Sequence, residues 1–214
     1  MTGVMRPAVR HHGGVPADAF AARMDAARVG DRDAIADLWR TEHPRLVRVL
    51  RGLVGDAAED VASQTWLEVM GVLGRFEGDE RGFRALLFTI ARRRVADHHR
   101  SLRRKPAVPM APIDLTTATP VHRTASRDLD ADIEGDEAVA LIRAMLPAHQ
   151  AEIVLLRVVG DLSVDDVSRI VDRSPGAVRV QQHRALKRLA DRMAVLRPDG
   201  RGAIDDDIDR RAAG

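Results

Sequence analysis

The sequence predicts an all-α protein of two small helical domains joined by a flexible linker. Three observations predict it. Apolar residues recur at helical spacing along most of the 214 residues, with no alternating strand pattern and no Asn-Gly or Asp-Gly hairpin signal. A Pro-rich segment interrupts that pattern once. Two strongly basic blocks lie on either side of the interruption.

The elements follow in order. Phe20, Met24 and Ala27 share one helix face, and Gly30 ends that run. Asp31 is placed to cap the next helix, which carries Ile35, Leu38 and Trp39. Pro44 is expected to break it, with Leu46, Val47, Leu50, Leu53 and Val54 following up to Gly55. Asp56 is expected to cap a helix bearing Ala62, Trp66, Val69, Met70 and Leu73, closed by Gly74. A polar loop from Arg75 to Glu80 leads into Phe83, Leu86, Leu87, Ile90, Ala91 and Val95. Residues 18–104 thus form the first domain, after an N-terminal extension (1–17) for which disorder is expected and in which Met5 is a second candidate start.

Residues 105–132 are expected to be a mobile linker. Pro106, Pro109, Pro112 and Pro120 cannot sit inside one helix, and the residues among them are small or polar. Helices resume near Ile133, and residues 133–196 form the second domain. Pro147 starts a helix through Ile153, Val154 and Leu156 to Gly160. Ser163 caps a short helix, with Asp166 completing a capping-box variant and Val164, Val167, Ile170 and Val171 on its apolar face. After the turn Asp172-Arg173-Ser174, Ser174 caps a longer helix whose first position is Pro175. Its expected buried face is Val178, Ala185, Leu186, Leu189 and Met193. Residues 197–214 form an acidic tail.

Composition excludes several classes. Cys is absent, which removes disulfides, thiolate catalysis and Cys-based metal sites. Aromatic residues are 3% of the chain, too few for a stacking platform that binds single strands. No run approaches the ~20 apolar residues of a membrane span, and no secretion signal is visible, so no membrane insertion and a cytoplasmic location are expected. Asp97-His98-His99 is a weak metal signal, because neighbouring side chains on a helix diverge by about 100°. The acidic run Asp205 to Asp209 resembles a magnesium site, but no pocket-forming sequence surrounds it. No catalytic residue, metal site or cofactor is assigned.

The charge carries the function. Residues 75–105 hold ten Arg or Lys against four acids, and residues 173–197 hold seven against one. Residues 106–135 and the tail are net acidic. Basic stripes on separate elements are the footprint of a nucleic-acid binder, although solvated helix faces give the same counts. A short helix, a tight turn and a longer basic helix read as helix-turn-helix. The outward face of the second helix carries Arg179, Val180, His183 and Arg184. Arg reaches guanine edges or phosphates in the major groove, and the helix start at Ser174 suits phosphate. Lys187, further along, is placed for phosphate.

These residues carry a resemblance. Leu146 to Ala190, including GDLSVDDVSRIVDRSPGAVRVQQHRALKRLA, resembles region four of bacterial sigma factors of the extracytoplasmic-function type. Gly30 to Arg104 resembles region two of the same family. The resemblance spans about residues 18–195, with both domains in the family's order. It implies a transcription initiation factor without catalytic activity, whose partners are core RNA polymerase, promoter DNA and a dedicated anti-sigma factor. Asp56, Glu59, Asp60, Gln64 and Trp66 match the helix that docks on core polymerase. Arg75, Phe76, Asp79, Arg81, Phe83 and Arg84 match the element that melts the minus-ten region and holds a flipped base. Arg92, Arg93, Arg94 and Arg100 would grip backbone and upstream duplex. The second-domain set (Ser174, Arg179, Val180, His183, Arg184, Lys187) would read the minus-thirty-five element. Members often carry Trp where this chain has Leu86, and Asn where it has Arg93, which implies melting that leans on charge more than on stacking. The alternative is a helix-turn-helix regulator that acts without being a polymerase subunit, which would need a sensor or dimer module in place of the first domain.

Overall fold

The computed structural model describes residues 17–104 and 129–196. Among these the chain is helical, with no strand. The N-terminal extension up to residue 16, residues 105–128 of the expected linker and the tail lie outside the described residues. No helix of the described residues is long and apolar enough to cross a membrane.

The first body is built from α1 (Ala17–Arg28), α2 (Arg32–Val54), α3 (Ala58–Leu73) and α4 (Glu80–Arg104). Gly30 takes φ +88° between α1 and α2, a value that disfavours any side chain. Asp31 then caps α2, its carboxylate accepting from the Ala34 N–H at 2.8 Å. Pro44 does not break the chain: α2 runs through it for 23 residues. An interior Pro costs about 3 kcal/mol. Leu38, Leu46, Val49 and Leu50 are fully buried on the same helix, and each contributes about 1.5–3 kcal/mol, so burial wins. Asp56 is not a cap either. The chain first makes one tight turn at Gly55–Ala57, and α3 starts after Ala57 without a side-chain cap. Gly55, at φ +63°, makes that turn possible. Trp39 lies at the edge of the α2 face, 40% exposed, while Leu38 is buried.

Phe83, fully buried on α4, ties the bundle together. Its ring lies 6.3 Å from Phe20 of α1, 6.4 Å from Trp66 of α3, and 5.7 Å edge-on from Phe76 of the loop before α4. Four of the six Phe and Trp residues thus meet in one cluster.

The second body is α5 (Leu129–Met145), α6 (Ala148–Val154), α7 (Val164–Val171) and α8 (Pro175–Leu196). Helix α5 begins four residues before the expected Ile133, so residues 129–132 belong to it. Pro147 precedes α6, which widens into a single π-helical turn over Leu155–Val159. Gly160 closes that turn, and a Cβ there would stand 2.7 Å from the Leu156 carbonyl oxygen. Ser163 and Asp166 form the capping box of α7 in both directions. Asp172 turns the chain in the left-handed conformation, at φ +53°, and Ser174 Oγ accepts from the Ala177 N–H at 3.2 Å.

The two bodies share apolar core. Val139, Ile153, Leu155, Leu156 and Val167 are buried in continuity with Val49, Leu50 and Leu87. At Gly52 of α2 a Cβ would collide with the Leu155 side chain and lie 3.1 Å from Val139, so the α2 backbone itself is the contact surface.

The unbroken α2 gives a test. Pro44→Ala restores a backbone N–H inside a continuous helix and should stabilise the protein by about 1–3 kcal/mol. Urea unfolding followed by helical circular dichroism measures it. A loss of stability would mean that Pro44 is needed where it stands.

Candidate nucleic-acid interface

Helix α8 separates its two faces sharply. Val178 and Ala185 are fully buried, against the core shared with α7 and against Leu146, Ala151 and Val154 respectively. Polar ties hold it at the flank: Gln150 donates to Gln181 at 3.1 Å, Arg188 donates to Gln150 at 3.2 Å, and Arg157 donates to Gln182 at 3.2 Å. Leu186 and Met193 correct the sequence reading, being 44% and 41% exposed. The buried stripe is Val178 and Ala185 with the partly buried Leu189, and Leu186 sits one step, about 100°, round from Ala185.

The opposite face carries Arg179, Val180, His183, Arg184 and Lys187, all exposed. Arg179, His183 and Arg184 have no hydrogen bond or ion pair among the described residues, so their donors are available. Lys187 meets Asp191 at 3.8 Å, a solvent-screened contact of little energy. Ser174 is exposed, with its oxygen engaged in the cap.

The expected minus-ten set divides into surface and support. Arg75 is exposed and Arg81 is 70% exposed. Phe76 is half-buried. Two expected contact residues, Phe83 and Arg84, are buried, and a third, Asp79, is exposed with one oxygen engaged. Phe83 is wholly inside the aromatic cluster. Asp79 is the cap of α4, accepting from the Gly82 N–H at 2.8 Å. Arg84 is 7% exposed. Its Nη2 donates to Glu42 Oε1 and to Glu80 Oε1, each at 2.9 Å, and its Nη1 to Asp161 Oδ2 at 3.3 Å. Burial disfavours its charge, but hydrogen bonding and attraction from Glu42, then Glu80 and Asp161, outweigh that and raise its pKa. The Arg run is also paired. Arg92 meets Glu152 at 2.8 Å, Arg94 meets Glu68 at 2.6 Å, and Arg93 shares the same Glu68. Arg100 pairs within its own helix with Asp97.

Glu42, Glu68, Glu152 and Asp161 organise this face, and the sequence reading did not find them. One signal was present: Glu42 lies four residues from both Leu38 and Leu46, an acid in an apolar stripe that requires a buried partner.

On α3, Glu59, Asp60 and Gln64 are exposed on one side with Leu67, which is 75% exposed, and Asp56 lies just before them. Trp66, expected on this docking surface, is instead buried beside Phe83. Position explains it: two residues along a helix turn a side chain to the far side from Gln64. Glu59 reaches Arg51 and His43, both at 3.5 Å. His43 stacks on Trp39 with ring centres 4.2 Å apart, and burial lowers its pKa against the opposing pull of Glu59. No group of three or more metal-ligating side chains occurs among the described residues. The acidic run 205–209 lies outside them.

Comparison with known proteins gives a consistent result. Residues 38–105 match the family model for sigma-70 region 2, and residues 137–189 match that for sigma-70 region 4. The chain is 37% identical over 184 residues to the ECF RNA polymerase sigma factor SigD of Mycobacterium tuberculosis, covering 79% of this chain and 83% of that protein. It is 36% identical over 168 residues to the ECF RNA polymerase sigma factor ShbA of Streptomyces griseus, covering 75% and 87%. Among solved structures, CnrH in complex with the cytosolic domain of CnrY superposes with a TM-score of 0.56 at 21% identity, covering 86% of this chain and all of that one. That likeness is one of fold.

Two predictions follow from the charge geometry. Glu42→Ala leaves the Arg84 guanidinium buried with less compensation and should cost about 3–5 kcal/mol, whereas Glu42→Leu with Arg84→Met should cost far less. A double-mutant unfolding cycle reads the difference; equal losses would place the pair outside the energetics of the core. Because the folded-state pKa of His43 lies below the ordinary 6.5, its contribution is complete above pH 6.5 and is lost as pH falls through the folded value. His43→Gln should flatten the stability profile across that interval, and an unchanged profile would show that His43 does not set it.

Proposed function

Because the chain belongs to the extracytoplasmic-function RNA polymerase sigma factors, we infer from its residue placement how it performs that family's work. The chain directs promoter recognition by RNA polymerase. It resembles no enzyme among these relatives, and its role is that of a binding subunit that works in the cytoplasm.

The single observation that carries the residue-level reading is the α8 face. A helix locked from behind by Val178, Ala185 and the glutamine ties presents Arg179, His183 and Arg184 with unspent donors. Arg179, nearest the helix start, reads base edges of the minus-thirty-five element. Arg184 and Lys187 hold phosphates, and Val180 packs on the groove floor. The exposed side of α3, with Asp56, Glu59, Asp60, Gln64 and Leu67, docks on core polymerase. The same surface is the one a dedicated anti-sigma factor covers.

On α4 and its preceding loop, Arg75, Arg81, Arg92, Arg93, Arg94 and Arg100 act on the minus-ten region, with Phe76 at the edge of the loop. Phe83 and Arg84 hold that loop and helix in place from within, and the exposed Asp79 caps the helix start. Flipping a base out of the stack costs a few kcal/mol, which phosphate contacts and the base's pocket must offset.

The experiment is affinity purification from the native host followed by run-off transcription with core polymerase. Core polymerase and a small protein partner should be recovered, and promoter-specific transcripts should appear only when the chain is added. Binding to DNA with no recovery of polymerase would favour a free-standing regulator.

The α8 assignments are tested by substitution. Arg179→Ala should relax preference at one or two minus-thirty-five positions, a loss of about 1–3 kcal/mol of discrimination. Lys187→Ala should weaken all sequences alike and lower the salt slope by about one unit. Wild-type behaviour in both, measured on a promoter library at two salt concentrations, would remove this helix from promoter reading.

A further inference from the structure

Arg28, the last residue of α1, reaches across to the loop between α3 and α4. Its Nη2 donates to the backbone carbonyl of Phe76, 48 residues further along the chain, while its Nη1 holds the Asp25 carboxylate at 2.7 Å. The side chain is half-buried, and its delivery is rigid, because Phe20, Met24 and Ala27 of the same helix lie in the core. Phe76 is also fixed at its other end. Its ring meets Phe83 edge-on at 5.7 Å, and a Cβ at Gly78 would stand 2.9 Å from it, so the ring lies in the curve of the loop. One loop residue is thus held by its carbonyl from α1 and by its ring from α4. Beyond it the loop has little of its own to keep its shape: the N–H groups of Glu77, Gly78 and Asp79 donate no hydrogen bond among the described residues.

We propose that Arg28 is a positioning residue for promoter opening: by fixing the Phe76 carbonyl it sets the shape of the loop that receives the flipped base, and with it which base is accepted. The proposal rests on the assignment of this loop to the minus-ten region. Loop N–H groups without a partner inside the protein can donate to a base edge or a phosphate, but they do so well only when held in one arrangement before the base arrives. An untethered loop must be ordered at the moment of opening, an entropic cost added to that of unstacking the base. A hydrogen bond from a cation is stronger than a neutral one, and the planar fork of Arg serves Asp25 and the Phe76 carbonyl at once. Asp25 keeps the guanidinium turned so that Nη2 stays on that carbonyl. Arg28 therefore acts through Phe76 and not on the DNA itself.

The test uses the full chain assembled with core polymerase. 2-Aminopurine, placed at successive minus-ten positions of a promoter fork, brightens when its base leaves the stack. Arg28→Met keeps the stem and removes the donors, and Arg28→Lys keeps the charge and one donor group. Arg40→Met, the control, deletes an exposed pair of the same spacing, with Asp37 on α2. Arg28→Met should bind core polymerase and minus-thirty-five duplex as the unaltered chain does, yet slow base extrusion about tenfold and flatten the preference at the extruded position by a similar factor. Arg28→Lys should recover most of both, and Arg40→Met should change neither. Gly78→Ala, which pushes on the Phe76 ring, should slow extrusion by itself. Combined with Arg28→Met it should give less than the product of the two effects, because both loosen one residue. Unaltered extrusion and preference in Arg28→Met would overturn the proposal. So would a loss that only follows a lower urea midpoint, a Lys variant no better than Met, a fully multiplicative double variant, or an equal loss from Arg40→Met. Arg75→Ala with Arg81→Ala is measured alongside. If that pair leaves extrusion unchanged, the minus-ten reading of the loop fails and the proposal with it. If the pair impairs extrusion and Arg28→Met does not, the role of Arg28 alone falls.

Discussion

The buried guanidinium of Arg84 is the interaction on which the rest of the arrangement depends. One planar cation joins α2 through Glu42, its own helix through Glu80, and the second body through Asp161. Removing a charge from water is costly, and only full pairing with carboxylates in good geometry makes it tolerable. That requirement fixes the register of α4 against α2. It also explains why an acid stands in the apolar stripe of α2, and why α2 must continue through Pro44: a break there would carry Glu42 away from its partner. The aromatic cluster around Phe83 lies one residue along α4, so the same register seats both.

What the sequence made legible was local. Asp31, Ser163 with Asp166, and Ser174 cap their helices as their spacing requires, because a cap is decided by residues three apart in the chain. The helix-turn-helix and its basic outward face were legible for the same reason. Elements decided by distant contacts were not. Pro44 and Asp56 obey burial and a neighbouring turn rather than their own preferences. Trp66 and Phe83 belong to the core because three other segments converge on them. The arginines of α4 looked free in the sequence because their counter-charges, Glu68, Glu152 and Asp161, come from other helices and turns.

The division of α8 has a consequence for how such a protein diversifies. Its supporting side chains, Val178, Ala185, Gln181 and Gln182, and its outward ones, Arg179, His183 and Arg184, share no member and no hydrogen bond. Substitutions on the outer side therefore leave the scaffold's folding energy nearly untouched. After gene duplication, a copy can drift toward new target sequences one side chain at a time, without passing through an unfolded ancestor. The inner side pays no such dividend: any change there moves the whole helix, and every contact it makes, at once.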